Sequence, residues 1–165
     1  MNTRTHSNTM KELITKFYTA FANGDARQMI ACYHEEVVFK DPAFGTLKGQ
    51  KACKMWEMLL SKKEAIEEVS FGDIQSTENT ASADWKVVYY FGPKKRKVIN
   101  EVHATFTFKD GKIIEHTDDF DIWKWSKQAL GTAGLLLGWT PLVQTKIQKL
   151  ANKNLEEYIS PTLPS

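Results

Sequence analysis

The sequence predicts an α+β fold: N-terminal helices packed on a curved antiparallel sheet, followed by a C-terminal helical extension. Three observations carry this. Apolar residues recur at helical spacing from Leu13 to Leu59. From Val69 to Ile122 the period changes to two. After Thr140-Pro141 the helical spacing returns, to about Ile159. Helices followed by a run of strands is the α+β order.

Each element has its own signal. Thr9 and Glu12 fit a capping box, in which the two side chains satisfy each other's backbone donors. The helix they open places Leu13, Phe17 and Phe21 on one stripe, with Ile14 and Tyr18 beside it. Asn23-Gly24 stops it. Asp25 caps a second, shorter helix carrying Met29, Ile30 and Tyr33, so His34 falls at a helix end. Val37 to Pro42 reads as a short strand ended by proline. Ala52, Met55, Trp56 and Leu59 share one side of a third helix. Val69–Ser76, Ala83–Phe91, Val98–Phe108 and Lys112–Ile122 then form an antiparallel meander, its last turn made by Asp110-Gly111. Thr140 and Pro141 start the tail helix as cap and first helical residue, and Leu142, Val143, Ile147, Leu150, Leu155 and Tyr158 make it amphipathic.

Size and composition limit the function. The chain has 165 residues, 42% hydrophobic and 25% charged, without a low-complexity linker, as expected of one globular domain. A net charge of +2 is too small to argue for nucleic acid, which is not expected as a partner, and Lys94-Lys95-Arg96-Lys97 reads as a solvated turn. Cys32 and Cys53 form no CxxC pair and read as buried free thiols. The polar stretch from Met1 to Asn8 has no apolar core and does not read as a signal peptide. The run from Ala129 to Val143 is too short and too broken by glycine to span a bilayer. The expected location is the cytoplasm.

The last strand holds the chemistry. Alternation puts Ile114, His116, Asp118, Phe120 and Ile122 on one face, so a histidine and a carboxylate sit in an apolar row. Burying such groups is costly unless they are paired. Asp41 and Asn100 interrupt apolar faces in the same way. Phe17, Phe21 and Trp56 from the helices, with Trp85, Val87, Tyr89, Val102, Ala104, Phe106 and Phe120 from the strands, would line a pocket around them. Asp41 before Pro42 fits either a base or a turn aspartate. His116 and Asp118, two apart on one face, fit either a shared ligand or water site or a structural pair. His34 is a further ligand candidate, or a complement to a helix dipole. Asn100 would donate to a ligand or pair with Asp118 or His116. His34, Glu35, His116 and Asp118 lack the spacing of a metal motif, so neither metal nor cofactor is expected.

The segments Phe17–Asp25, Phe39-Lys40-Asp41-Pro42 and Gly111–His116, in this order and spacing, resemble the SnoaL-like branch of the nuclear transport factor 2-like superfamily, which includes polyketide cyclases and relatives of ketosteroid isomerase. The resemblance spans roughly residues 10 to 131. It implies a cone-shaped roll over residues 9–131, with residues 132–160 as the helical extension. It also implies cofactor-independent proton abstraction on a small, apolar, cyclic ligand. Asp41 matches the proton-abstracting aspartate of the isomerases. Phe17 stands at their oxyanion-hole tyrosine, with Tyr18 one residue off, and Ala104 at their acid. Asp121, followed by Gln128 and Leu130-Gly131, resembles the acid/base of the cyclases, although alternation turns it away from His116. The limonene epoxide hydrolase set needs an arginine, and Arg4, Arg27 and Arg96 lie on no cavity face.

The resulting expectation is an isomerase, cyclase or dehydratase in which Asp41 is the base and His116 with Asp118 orients or protonates the enolate oxygen. The alternatives are a binding module with the same pocket and a pure interaction protein. The outer sheet face, with Lys86, Val88, Tyr90, Ile99, Glu101, His103, Thr105 and Thr107, suits a homodimer, as is common in the superfamily. The tail reads as packing over the cone's open end, or as a lid. Its glycines argue against membrane contact.

Overall fold

The computed structural model describes residues 3–161. Met1 and Asn2, the start of the polar N-terminal stretch, lie outside the described residues, as do residues 162–165. Helix α1 (Thr3–Ala22) begins six residues before the expected capping box, so Thr9 lies within it. Ile14, Phe17, Tyr18 and Phe21 are buried along one face. Gly24, at φ +69°, turns the chain out of α1. Asp25 Oδ1 accepts from Gln28 N at 3.0 Å and starts α2 (Ala26–Ala31).

Strand β1 (Tyr33–Asp41) is longer than expected, so His34 lies in a strand and not at a helix end. β2 (Gly45–Lys48) and α3 (Gln50–Leu60) follow. β3 (Ile66–Ser76), β4 (Thr80–Phe91), β5 (Arg96–Lys109) and β6 (Lys112–Asp119) form the expected meander. Asp110 (φ +52°) and Gly111 (φ +72°) both take the left-handed conformation that a two-residue hairpin turn needs. The curved, unclosed sheet has the order β2-β1-β6-β5-β4-β3. One junction departs from the all-antiparallel expectation: β1 and β6 are parallel.

The concave face of this sheet and helices α1 to α3 enclose the main core. Phe17, Tyr18, Phe39, Trp56, Phe106 and Ile113 are all but inaccessible within it. Burial of one such side chain is worth roughly 2–3 kcal/mol.

Strand β6 ends at Asp119, three residues short of the expected Ile122. Asp121 caps α4 (Ile122–Leu130), which runs on along β5 where β6 stops. There the Gln128 amide donates to Ile99 O at 3.0 Å and accepts from Ile99 N at 2.8 Å. α5 (Thr132–Leu137) and α6 (Pro141–Ile159) complete the chain, with Thr140 as the α6 cap. A second cluster, with Trp125, Ala129 and Ile147 around Val98, packs against Tyr89 and Phe120 at the open end of the cone. Gln148 Nε2 donates to Pro42 O and Asn152 Nδ2 to Phe44 O, so α6 is fastened to the loop that follows Asp41. The extension therefore packs beside the cone's mouth.

Candidate active site

The interior of the cone holds a directed chain of hydrogen bonds. Trp56 Nε1 can only donate, and it donates to Tyr33 Oη at 2.8 Å. The Tyr33 hydroxyl hydrogen is then free for His116 Nδ1, 2.7 Å away. The other ring nitrogen, Nε2, lies 2.8 Å from Asp118 Oδ1, which also accepts from Trp85 Nε1 at 3.2 Å. The directions agree when His116 is neutral with its hydrogen on Nε2, pointing at the carboxylate. His116 is fully buried and Asp118 almost so. Rings of Phe17, Phe39, Trp56 and Phe106 surround the imidazole within 6.1 Å.

Local sequence explains the arrangement. Phe39 on β1 and Phe106 on β5 are the lateral neighbours of His116. Asp118 stands opposite Ala104, whose small side chain leaves room for the carboxylate. So the position matching the isomerase acid is an alanine, and a carboxylate projects from the neighbouring strand instead. His116 and Asp118, which the sequence allows either as a shared ligand or water site or as a structural pair, bond directly to each other. Tyr33 Oη and Asp118 Oδ1 take up both ring nitrogens.

Asp41 lies at the rim. The parallel register pairs Phe39 with His116 and Lys40 with Thr117, and one step further Asp41 comes level with Asp118. Inward-facing carboxylates of adjacent strands thus stand side by side, about 5 Å apart at the backbone. Asp41 Oδ1 accepts from Phe44 N, the turn role that its Asp-Pro context allows. Its pKa is nevertheless pushed up to about 7, first by burial, with the charge of Asp118 adding to the shift against the backbone donors. Tyr89, on β4, is close enough for the charge of Asp41 to bear on its hydroxyl. Trp125 Nε1 donates to its hydroxyl at 2.7 Å, and burial pushes that hydroxyl's pKa up to about 12, so it stays a hydrogen-bond donor. Asn100, two residues from Val98 on the same inward face of β5, is half-buried, as is Phe120. The structure shows Asn100 across from Val87 and not bonded to His116 or Asp118.

The remaining candidates fall elsewhere. His34 Nδ1 accepts from Glu36 N, and Nε2 lies 3.6 Å from Asp110, so the ring belongs to the far end of β1. Asp121 is exposed and accepts from Lys124 N as the α4 cap, which resolves its orientation: it serves a helix end and not the interior. Phe17, Phe21, Trp56 and Trp85 pack around the inner network. Sequence reasoning missed two participants. Tyr33 was assigned to a helix, although its place before a β-branched, alternating run marks it as the start of a strand. Trp125 carries no pattern that announces its bond to Tyr89. Tyr18 Oη is buried without a hydrogen-bond partner, and its ring stacks on Phe71.

A curved, unclosed sheet wrapped by helices, with carboxylates facing inward from neighbouring strands, defines an α+β cone. The sequence model of the SnoaL-like domain family matches residues 14–116, and the chain belongs to that family. No curated protein matches it. Similar solved structures include a candidate polyketide cyclase from Xanthomonas campestris pv. campestris: 20% identity, TM-score 0.60, 74% of this chain and 98% of that one. An LEH-like epoxide hydrolase from M. tuberculosis has 21% identity and TM-score 0.61, over 79% and 96% of the two chains. A protein of ketosteroid isomerase-like fold from Catenulispora acidiphila, in complex with trimethylamine, has 14% identity and TM-score 0.61, over 79% and 98%. At these identities the likeness establishes the fold.

Proposed function

We propose that the chain is a cofactor-independent enzyme that removes a proton next to a carbonyl of a small, apolar, cyclic substrate, in isomerase, cyclase or dehydratase chemistry. One observation carries this: Asp41, at the rim of the cone and next to the strand that holds Asp118, has a pKa of about 7. A base in this range is ionised in part at neutral pH and strong enough to accept a carbon-bound proton. In this reading the C–H pair of electrons moves into the carbonyl, the proton goes to an Asp41 oxygen, and the enolate oxygen accepts from Tyr89 Oη–H and the Asn100 amide. His116 is a positioning residue. It holds Asp118 in place, and Asp118 in turn raises the basicity of Asp41. Phe120 and Trp85 supply apolar contact, and the Trp125 bond to Tyr89 makes α4 part of the mouth.

The filled interior favours a second reading, a binding module without turnover. Phe17, Phe39, Trp56 and Phe106 occupy the depth of the cone, which leaves the mouth to a ligand. In either reading the protein is a homodimer through the outer sheet face, where Tyr90 and Ile99 are exposed.

Deuterium exchange at the acidic carbon of cyclic ketones in D2O, followed by NMR, separates the two. The enzyme shows a rate limb that rises with pH through about 7 and disappears in Asp41→Asn, while ligand affinity persists. Ligand binding without exchange in the wild type, across the ketones tested, gives the protein to the binding class.

A further inference from the structure

From Ile122 to Leu155 the chain carries five lysines and no aspartate or glutamate. Glu156 and Glu157 follow only at the C-terminal end of the tail helix. The same segment exposes several large apolar side chains. Leu135, Leu136, Leu137, Trp139 and Leu142 are each more than half exposed. An exposed apolar cluster of this size marks a contact surface.

The fold explains why these residues point outward. A Cβ on Gly134 would lie 1.9 Å from Ser126 O, and one on Gly138 2.6 Å from Ser126 Cβ. α5 thus sits on α4 through its glycines, which turns its three leucines away. The glycines that argued against an apolar surface in the sequence are the side that is hidden. Trp123 Nε1 donates to Leu135 O and Trp139 Nε1 to Leu136 O, which ties both indoles to the leucine turn. Lys127 Nζ lies 4.1 Å over the Trp123 ring. On α6, Leu142, Lys146, Lys149, Leu150 and Lys153 follow helical spacing on one exposed face, opposite buried Ile147 and Leu155.

We propose that this face docks on an anionic lipid bilayer. Leu135, Leu136, Leu137, Trp139 and Leu142 enter the headgroup boundary, and the lysines of α6 meet lipid phosphates. Leucine and tryptophan beside lysine is the composition of an interfacial surface, and the carboxylates of α6, Glu156 and Glu157, lie at its far end beside Lys51 and Lys153. A second copy is the poorer occupant. A two-fold interface repeats the same patch on both sides, so Lys146 and Lys149, which form no ion pair among the described residues, would be buried against a patch that is itself apolar and basic. The inference is independent of whether Asp41 is catalytic.

The test is co-sedimentation of the full chain with phosphatidylcholine vesicles, with and without phosphatidylserine, together with tryptophan emission. Wild-type protein should pellet with the phosphatidylserine vesicles, shift its emission to the blue and be released by high salt. Lys146→Gln with Lys149→Gln should weaken partition about thirtyfold, the combined loss of two surface lysines. Leu136→Asp should abolish the blue shift with an unchanged melting curve, and the lysine pair provides a second variant that leaves every apolar contact intact. Wild-type protein that stays in the supernatant with both vesicles overturns the proposal. So does a dimer that Leu136→Asp converts to monomer, since the face would then belong to a second copy.

Discussion

The depth and the mouth of the cone both contain an aspartate on an inward face, yet they differ in what surrounds it. Asp118, in the depth, accepts from His116 and Trp85 and sits among aromatic rings. Asp41, at the mouth, has backbone amides as its hydrogen-bond donors and, among the described residues, no cationic partner to offset its desolvation. The first is a polar network closed on itself and belongs to the architecture. The second keeps an elevated pKa at a half-buried position on the rim. A buried polar residue in a sequence does not by itself mark reactivity; the partners that the fold supplies decide it.

Removing one member of the closed network should cost most. His116→Ala leaves the Asp118 carboxylate and the Tyr33 hydroxyl short of a partner beside a new void, at about 4 kcal/mol of unfolding free energy in urea. A loss under about 1 kcal/mol would mean that the network is not a structural unit.

Gly134→Ala comes next. The added methyl would meet Ser126 O, and α5 must lift from α4, at about 3 kcal/mol. The Trp125–Tyr89 bond should weaken with it, read as faster hydrogen exchange along α4.

Asp41→Asn should separate the two regions by pH. The folded pKa of Asp41 lies above its unfolded value of 3.8, so the folded state binds the extra proton. Stability is therefore full below pH 3.8 and is lost as pH rises to about 7. Asparagine keeps the acceptor for Phe44 N without the charge. The variant should match the wild type near pH 4 and exceed it at pH 8 by on the order of 2 kcal/mol, after discounting the partly exposed position. Equal melting temperatures at both values would show that the carboxylate titrates normally.

The smallest effect is expected at Tyr18→Phe. Its hydroxyl is buried without a partner, so its removal should leave stability unchanged or raise it by up to about 1 kcal/mol. A large loss would reveal a partner for that hydroxyl.

Much of the fold was legible in the sequence. The change from helical to alternating spacing marked the meander, Asp110-Gly111 its last turn, and Thr140-Pro141 the tail helix. Asp41, His116 and Asp118 were legible as interruptions of apolar faces. What was hidden depended on tertiary register. Nothing local in Tyr33–Asp41 announces parallel pairing with β6, and without it neither the Tyr33–His116 bond nor the Asp41–Asp118 proximity can be derived. The end of β6 was misplaced because Phe120 and Ile122 continue the alternation, while the Asp121 cap outweighs it. His34 was misplaced for the converse reason, since its strand starts where a helix had been extended.

Gln128 has a consequence for solubility. Where β6 stops, the backbone of β5 at Ile99 would present a bare donor and acceptor, a template on which another chain can add a strand. The side-chain amide of Gln128 occupies both groups, in the manner of a single peptide unit. One residue thereby takes the place of a missing strand segment, and the widest antiparallel surface of the molecule is closed to cross-β growth at that point. Gln128→Leu would keep the helix and much of its packing while reopening the edge, so its effect belongs in fibril formation on prolonged storage more than in the unfolding curve.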